Sequence, residues 1–224
     1  MQTFDTRSPI TAILDIPAGR VLFTASDRTD TTVEVRPVDA GKGRDVRLAN
    51  QTTVEYADGV LRIRAETSMR HQIFGPSGSV EVTVQLPTGS RVEARTASAE
   101  FRTVGRLGDI AYDSSHGTIT VDEAASVRLT TAAGDVSVGH VDGSAEIRTS
   151  KGDIAVTEAA RGVVTMRTDA GNLSIGAAPG VSVSLDAGTS YGRIVNSLTN
   201  GDGAHAELDI RATTSYGNIT ARSL

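Results

Sequence analysis

Three aspartates, Asp113, Asp135 and Asp153, are the side chains of this 224-residue chain whose spacing most resembles an acid–base set. Two carboxylates held close together can cleave a glycosidic bond, one protonating the leaving oxygen and the other acting as base or nucleophile. Asp135 and Asp153 each follow a glycine and stand eighteen residues apart, so a structure repeating with that period stacks them, with Asn172 next. Such a stack also offers oxygens to calcium, which takes six to eight of them. The calcium-binding solenoid repeat is a nonapeptide with paired glycines, and that pattern is absent here. Asp113 lies four residues before its glycine instead of one after, which puts it on a different sheet from the other two. The expected reading is therefore exposed corner residues, with no catalytic set, no metal and no cofactor.

Other chemistry is excluded more simply. The histidines His71, His116, His140 and His205 share no helical or strand spacing suited to a metal. The chain has no cysteine, which removes thiolate nucleophiles, thiolate metal sites and disulfides. The glycine-rich segments GKGR and FGPSGS do not match a phosphate loop, since no GxxxxGK occurs, and they read as turns. A net charge of -5 and a pI near 5.4 argue against a phosphate-binding surface, so no nucleic-acid partner is expected. The segment MQTFDTRSPITAILDIPAG is broken by acidic and polar residues. It predicts neither a signal peptide nor a membrane span, and hence a cytoplasmic protein.

The elements that position these residues follow from a repeat. With a recurrent small residue as position zero, the anchors are Ala99, Gly117, Gly134, Gly152, Gly171, Gly192 and Gly217. Two residues later stand Phe101, Ile119, Val136, Ile154, Leu173, Ile194 and Ile219. Five before stand Ala94, Tyr112, Leu129, Ile147, Met166, Ala187 and Ala212, and seven before Val92, Ile110, Val127, Ala145, Val164, Leu185 and Ile210. Mostly polar residues alternate with these columns, which is the period-two pattern of half-buried strands. Three before the anchor is a hydroxyl in every copy: Thr96, Ser114, Thr131, Thr149, Thr168, Thr189 and Thr214. Alternation turns these hydroxyls inward, where they can form a ladder or bond corner carbonyls, each bond worth roughly 0.5–1.5 kcal/mol net. Glycine suits the corner because it lacks a Cβ, and the Asp or Asn that follows can bond nearby backbone.

Each repeat is thus two short strands joined at a corner, unable to bury its apolar side alone, and stacking in parallel solves this. The predicted fold is an all-β, single-domain β-solenoid, similar to a parallel β-helix, of about seven turns of roughly 18 residues. Residues 91–224 form the regular repeats and residues 1–90 a β-rich N-terminal cap. The linkers 39–45 and 66–78 read as surface loops, the segment 196–205 as an insertion, and helix has almost no support. With 38% hydrophobic and only 4% aromatic residues, the core is expected to be thin and built of small side chains.

Within that frame four side chains are candidates for contact. Arg148 and Arg167 share an outward column in adjacent turns and could hold an anion or acidic sugar, although Glu146 and Asp169 beside them also fit a salt-bridged surface. Thr118, Thr120, Asn218 and Thr220 suggest the flat arrays of ice-binding solenoids, but Arg102, Ala155 and Val195 interrupt that face. The motif TSYG occurs twice and places Tyr191 and Tyr216 on adjacent turns, one residue before the glycine, as an exposed stacked pair. Because the last repeat ends at residues 217–221, the C-terminal edge of the stack is expected to present unpaired backbone for a protein partner or for self-association.

The combination of DIPAGRV, SVEVTVQLPTGSRVEARTAS and the blocks GDVSV, GDIAV and GNLSI resembles the bacterial "putative adhesin" family of β-strand-repeat proteins, a family of unknown function, over essentially the whole chain. The resemblance implies a β-solenoid with an assumed binding or adhesion role, and it offers no established catalytic residues to carry over. The expected function is a non-enzymatic interaction or scaffold module. The alternatives are a carbohydrate-binding module, with a glycan as partner, and a polysaccharide-active enzyme.

Overall fold

The apolar columns of the sequence become the inner faces of parallel strands, and the glycines become the corners between them. The computed structural model describes residues 1–65, 78–199 and 205–224. The segment 66–78, apart from Gly78, and part of 196–205 therefore lie outside the described residues, as does His71. Among the described residues the fold is all-β with one short helix, and by contact the chain divides into two units, Met1–Gly117 and Thr118–Leu224.

In the first unit the strands are β1 (Gln2–Asp5), β2 (Thr11–Ser26), β3 (Asp30–Pro37), β4 (Thr52–Ala57), β5 (Val60–Ala65), β6 (Val80–Pro87), β7 (Arg91–Val104) and β8 (Arg106–His116). The long β2 lies parallel to β7 from Thr11 to Thr24. On its other side Thr11–Asp15 pairs with β5 and Gly19–Ser26 with β6, both in parallel. β7 continues onto β8 in parallel, setting Thr96 against Ser114. β5 and β6 are in turn covered by antiparallel strands, β4 on β5 and β3 on β6, with β1 on β3. The β4–β5 hairpin turns through Asp58 and Gly59, both at positive φ, the geometry that a two-residue hairpin requires and that an Asp-Gly pair supplies. Inside, Phe23 packs on Phe101 at 6.0 Å between ring centroids, and Phe101 stacks on Tyr112 at 4.2 Å.

The helix α1 (Gly43–Gln51) corrects the expectation of a loop over 39–45 and of no helix. Its sequence is short and charged, and no side chain caps its N-terminus. Tertiary contacts hold it instead: Leu48 is buried, and the buried Asp45 carboxylate accepts the Ser79 amide at 3.0 Å. The Thr52 hydroxyl closes the other end by donating to the Leu48 carbonyl at 2.8 Å.

The second unit contains β9 (Ile119–Ala133), β10 (Val136–Val141), β11 (Ala145–Lys151), β12 (Ile154–Ala159), β13 (Gly162–Ala170), β14 (Leu173–Ala177), β15 (Val183–Tyr191), β16 (Ile194–Ser197), β17 (Leu208–Tyr216) and β18 (Ile219–Ser223). They form two parallel ladders that meet at the corner glycines. One runs β9, β11, β13, β17, β15 and the other β9, β10, β12, β14, β18, β16. The side chains between the ladders are almost fully buried, among them Ile147, Val156, Val164, Met166, Leu173, Ile210 and Ile219. Each contributes about 1.5–3 kcal/mol relative to exposure.

Both ladders depart from sequence order at the end. β17 and β18 lie between β13–β14 and β15–β16, so the outermost repeat is 183–197 and not the last one. This corrects the expectation that residues 217–221 form the C-terminal edge of the stack. Two side chains give the physical reason. Four residues after the corner stand Val121, Val138, Val156, Ile175 and Ala221, all buried, whereas the outer repeat carries Asn196, which is exposed. Moved one place inward, Asn196 would face the apolar column, and an unpartnered buried amide costs about 1–3 kcal/mol. The second side chain, Arg193, belongs to the corner ladder described next.

Candidate interaction site

At the corners, the residue after each glycine bonds the next repeat. The Asp153 amide donates to Asp135 Oδ1 at 2.9 Å, the Asn172 amide to Asp153 Oδ1 at 2.7 Å and the Asn218 amide to Asn172 Oδ1 at 2.9 Å. The Arg193 amide then donates to Asn218 Oδ1 at 2.9 Å. Arg193 has no side-chain oxygen with which to continue the series, so the ladder closes on it. Placed in sequence order, Arg193 would interrupt the series between Asn172 and Asn218 and leave the Asn218 amide without an acceptor, a difference of about 1 kcal/mol. The Gly-Asp pairs are therefore architecture: their carboxylates accept backbone amides. Asp113 is an exposed residue of β8.

The hydroxyl column meets the same corners. Thr149, Thr168, Thr214 and Thr189 donate to the carbonyls of Gly134, Gly152, Gly171 and Gly217, at 3.4, 3.1, 3.0 and 2.9 Å. Thr131 reaches the Ala133 carbonyl at 3.4 Å. In the first unit Thr96 bonds Ser114 at 3.0 Å and the Tyr112 hydroxyl at 2.8 Å, while Ser114 donates to the His116 carbonyl at 2.9 Å. Burial raises the Tyr112 phenol above its usual value near 10; the bonds to Thr96 and Ser114 act in the opposite direction and Asp113 adds to the rise.

Glycine is required where these corners pack. At Gly152, φ is 147°, and a Cβ built there would lie 2.6 Å from the Gly134 carbonyl carbon and closer still to its oxygen. Gly117, Gly171, Gly192 and Gly217 meet the carbonyl of the neighbouring corner in the same way, and Gly134 itself is at positive φ.

The outer repeat exposes aromatic and apolar side chains. Tyr191 and Tyr216 are register partners and stack with ring centroids 4.9 Å apart and planes within 4°. They are 68% and 61% exposed, and beside them Ile194 and Val195 are 44% and 49% exposed. The inward residues of β15, Leu185, Ala187 and Thr189, are only half-buried, whereas their partners Ile210 and Ala212 have no exposed surface. Tyr216 sits in register between Ala170 and Tyr191, so one face of its ring is covered by the other tyrosine.

Arg148 and Arg167 are also register partners, on β11 and β13, and both are exposed. Arg148 bonds Glu146 at 2.7 Å, and Glu146 bonds Arg128 at 3.3 Å, while Arg167 makes no ion pair among the described residues. His116 and His205 are exposed. His140 lies between Asp142, at 3.0 Å, and Glu158, at 3.4 Å, in register with Glu123. Among the described residues no group of three or more His, Cys, Asp or Glu is arranged to hold a metal ion. Among them, too, no helix is long and apolar enough to cross a membrane.

Residues 18–222 match the family model described as Toastrack DUF4097. A comparison with curated proteins returns no match. Among solved structures, the chain is similar to a "putative adhesin" from Parabacteroides distasonis, at a TM-score of 0.51 and 11% identity over 98% of this chain and 95% of that one. Another "putative adhesin", from Bacteroides fragilis, aligns over the same shares at 11% identity and a TM-score of 0.47. A "putative lipid binding protein" from Parabacteroides distasonis aligns over 100% and 95% at 12% identity and a TM-score of 0.36. At these identities the likeness concerns fold.

Proposed function

From a chain that belongs to the Toastrack DUF4097 family we infer a non-enzymatic interaction or scaffold module, whose contact surface is the outer repeat β15–β16 with Tyr191 and Tyr216. One observation carries this reading. The column that is buried at Ile119, Val136, Ile154, Leu173 and Ile219 comes to the surface at Ile194, which with the exposed Tyr191 and Val195 forms an apolar and aromatic patch on the outermost strands among the described residues. Exposed patches of this kind mark interaction sites, and tyrosine is favoured in them. The corner carboxylates support the non-enzymatic part, because Asp135 and Asp153 are engaged by backbone amides.

A carbohydrate-binding module is the second reading, favoured by the same exposed tyrosines. Its geometry is restricted: the two rings stack on each other, so a sugar can lie on the outer face of Tyr191 but not across both rings. The test is affinity capture from the native cell with the intact chain and with the Tyr191→Ala/Tyr216→Ala variant, alongside a glycan array. A protein held by the intact chain and lost by a folded variant supports the module. Equal capture by both removes the tyrosine end as its surface, and saturable glycan binding lost in the variant moves the assignment to the second reading.

A further inference from the structure

Arginines on the strand faces of this chain meet carboxylates in register. Arg20 stands between Glu81 and Glu100, Arg64 and Arg95 stand on either side of Asp15, and Arg211 faces Asp186. Opposite charges placed this way stabilise neighbouring strands, whereas like charges directly opposite destabilise them. Arg148 on β11 and Arg167 on β13 are set directly opposite each other. Strand stability does not account for that pair.

The carboxylates nearby do not neutralise both. Glu146 is shared, bonding Arg148 at 2.7 Å and Arg128 at 3.3 Å. Arg167 makes no ion pair among the described residues, not even with Asp169, two residues along its own strand. Lys151 is exposed at the end of β11. Arg128, Arg148, Lys151 and Arg167 thus stand against the carboxylates of Glu146 and Asp169 alone on β9, β11 and β13 here. The local excess is positive, on a chain whose formal net charge is -5.

A pair of guanidinium groups suits an oxyanion, because each can donate two parallel N–H bonds to a carboxylate. Neighbouring strands lie about 4.8 Å apart, so two such groups can close on one carboxylate from either side. The register row continues into a hydroxyl at each end, Thr130 beside Arg148 and Thr213 beside Arg167, and all four side chains are exposed. Hydroxyl, guanidinium, guanidinium and hydroxyl in one row match a ligand that joins an acid group to hydroxyl groups, which is the chemistry of an acidic sugar. We propose that Arg148 and Arg167 bind the carboxylate of an acidic sugar, with Thr130 and Thr213 bonding its hydroxyl groups. None of these residues belongs to the outer repeat, so the site is independent of Tyr191 and Tyr216. Being open to water, it holds its ligand with a dissociation constant in the millimolar range.

The experiment is 1H–15N NMR of the arginine Nε–H groups in the full chain during titration with digalacturonate. Concentrations from about 0.1 to about 30 mM bracket the expected affinity, and sodium chloride holds the ionic strength constant. Saturable shifts confined to Arg148 and Arg167 are expected. Arg148→Gln and Arg167→Gln should each weaken binding about tenfold or more, whereas Glu146→Gln, which frees Arg148 of its internal partner, should tighten it. The Tyr191→Ala/Tyr216→Ala variant should bind as the parent does. Arg167→Glu replaces the like pair with an opposite one, so it should abolish binding and raise the midpoint of urea unfolding. Circular dichroism checks that every variant is folded. Shifts spread evenly over all arginines, affinity unchanged in either arginine-to-glutamine variant, weaker binding by Glu146→Gln, or a lowered unfolding midpoint in Arg167→Glu each overturns the proposal. Inorganic sulfate bound as tightly as digalacturonate overturns it too, since the threonines would then add nothing.

Discussion

The inverted order of the last two repeats can be tested with two cysteine pairs. Arg167, Thr213 and Gly188 occupy the same outward column on β13, β17 and β15, and Arg167 pairs with Thr213, which pairs with Gly188. Neighbouring strands lie about 4.8 Å apart, which places the Arg167 and Thr213 Cα atoms within the roughly 4.4–6.8 Å that a disulfide spans. Arg167 and Gly188 are two strands apart, about 9.6 Å, beyond the limit of about 7 Å. In sequence order these two distances would exchange. The native chain has no cysteine, so each double variant contains only the intended thiols, and a Cβ at Gly188 meets no atom within 4 Å. After mild oxidation, thiol counting by mass and non-reducing electrophoresis should show Arg167→Cys/Thr213→Cys closed and Arg167→Cys/Gly188→Cys reduced. The closed bond encloses a loop of about 46 residues and raises stability by at most about 4 kcal/mol, less any strain in the bond. Closure of the second pair in place of the first would refute the inverted order and the account of Arg193 and Asn196 built on it.

Two further substitutions probe the corners and the first unit. Gly152→Ala is expected to destabilise by roughly 2–4 kcal/mol in urea unfolding, from a disfavoured φ and the overlap with the Gly134 carbonyl, while Gly188→Ala stays near neutral; equal effects would refute the close-approach argument. Tyr112→Phe should cost about 1 kcal/mol at neutral pH through the lost bond to Thr96. The raised phenol value means that the folded state keeps its proton longer than the unfolded one. That contribution is complete below about pH 10 and is lost as the pH rises through the folded value, so the parent should lose stability above pH 10 more steeply than the variant. Parallel curves would show that Tyr112 does not titrate on unfolding.

The periodicity was informative about everything that every repeat shares. Apolar columns two after and five and seven before the corner specify parallel neighbours, because only stacked copies bury them together. The Gly-Asp beat and the hydroxyl column likewise correspond to one recurring corner, in which an amide, a carbonyl and a Thr hydroxyl find partners in the adjacent repeat. Spatial order is a different kind of information. Columns are indifferent to permutation, since Thr189, Gly192 and Ile194 fit the same places as Thr214, Gly217 and Ile219. Only the residues that break a column carry the order, and Arg193 and Asn196 are that signal. Helix α1 was hidden for the converse reason: Asp45 and Leu48 are fixed by contacts with distant parts of the chain, and nothing in GRDVRLANQ announces them.

Placing β17–β18 one position inward also determines where the end of the molecule comes loose. β17 is held by a backbone ladder on each side, so peeling it away breaks two, while β15 has a strand ladder on one side, to β17, among the described residues. Thermal fraying therefore starts in the interior of the chain, at residues 183–197. The segment that follows them in sequence acts as a bolt, still seated when they have opened.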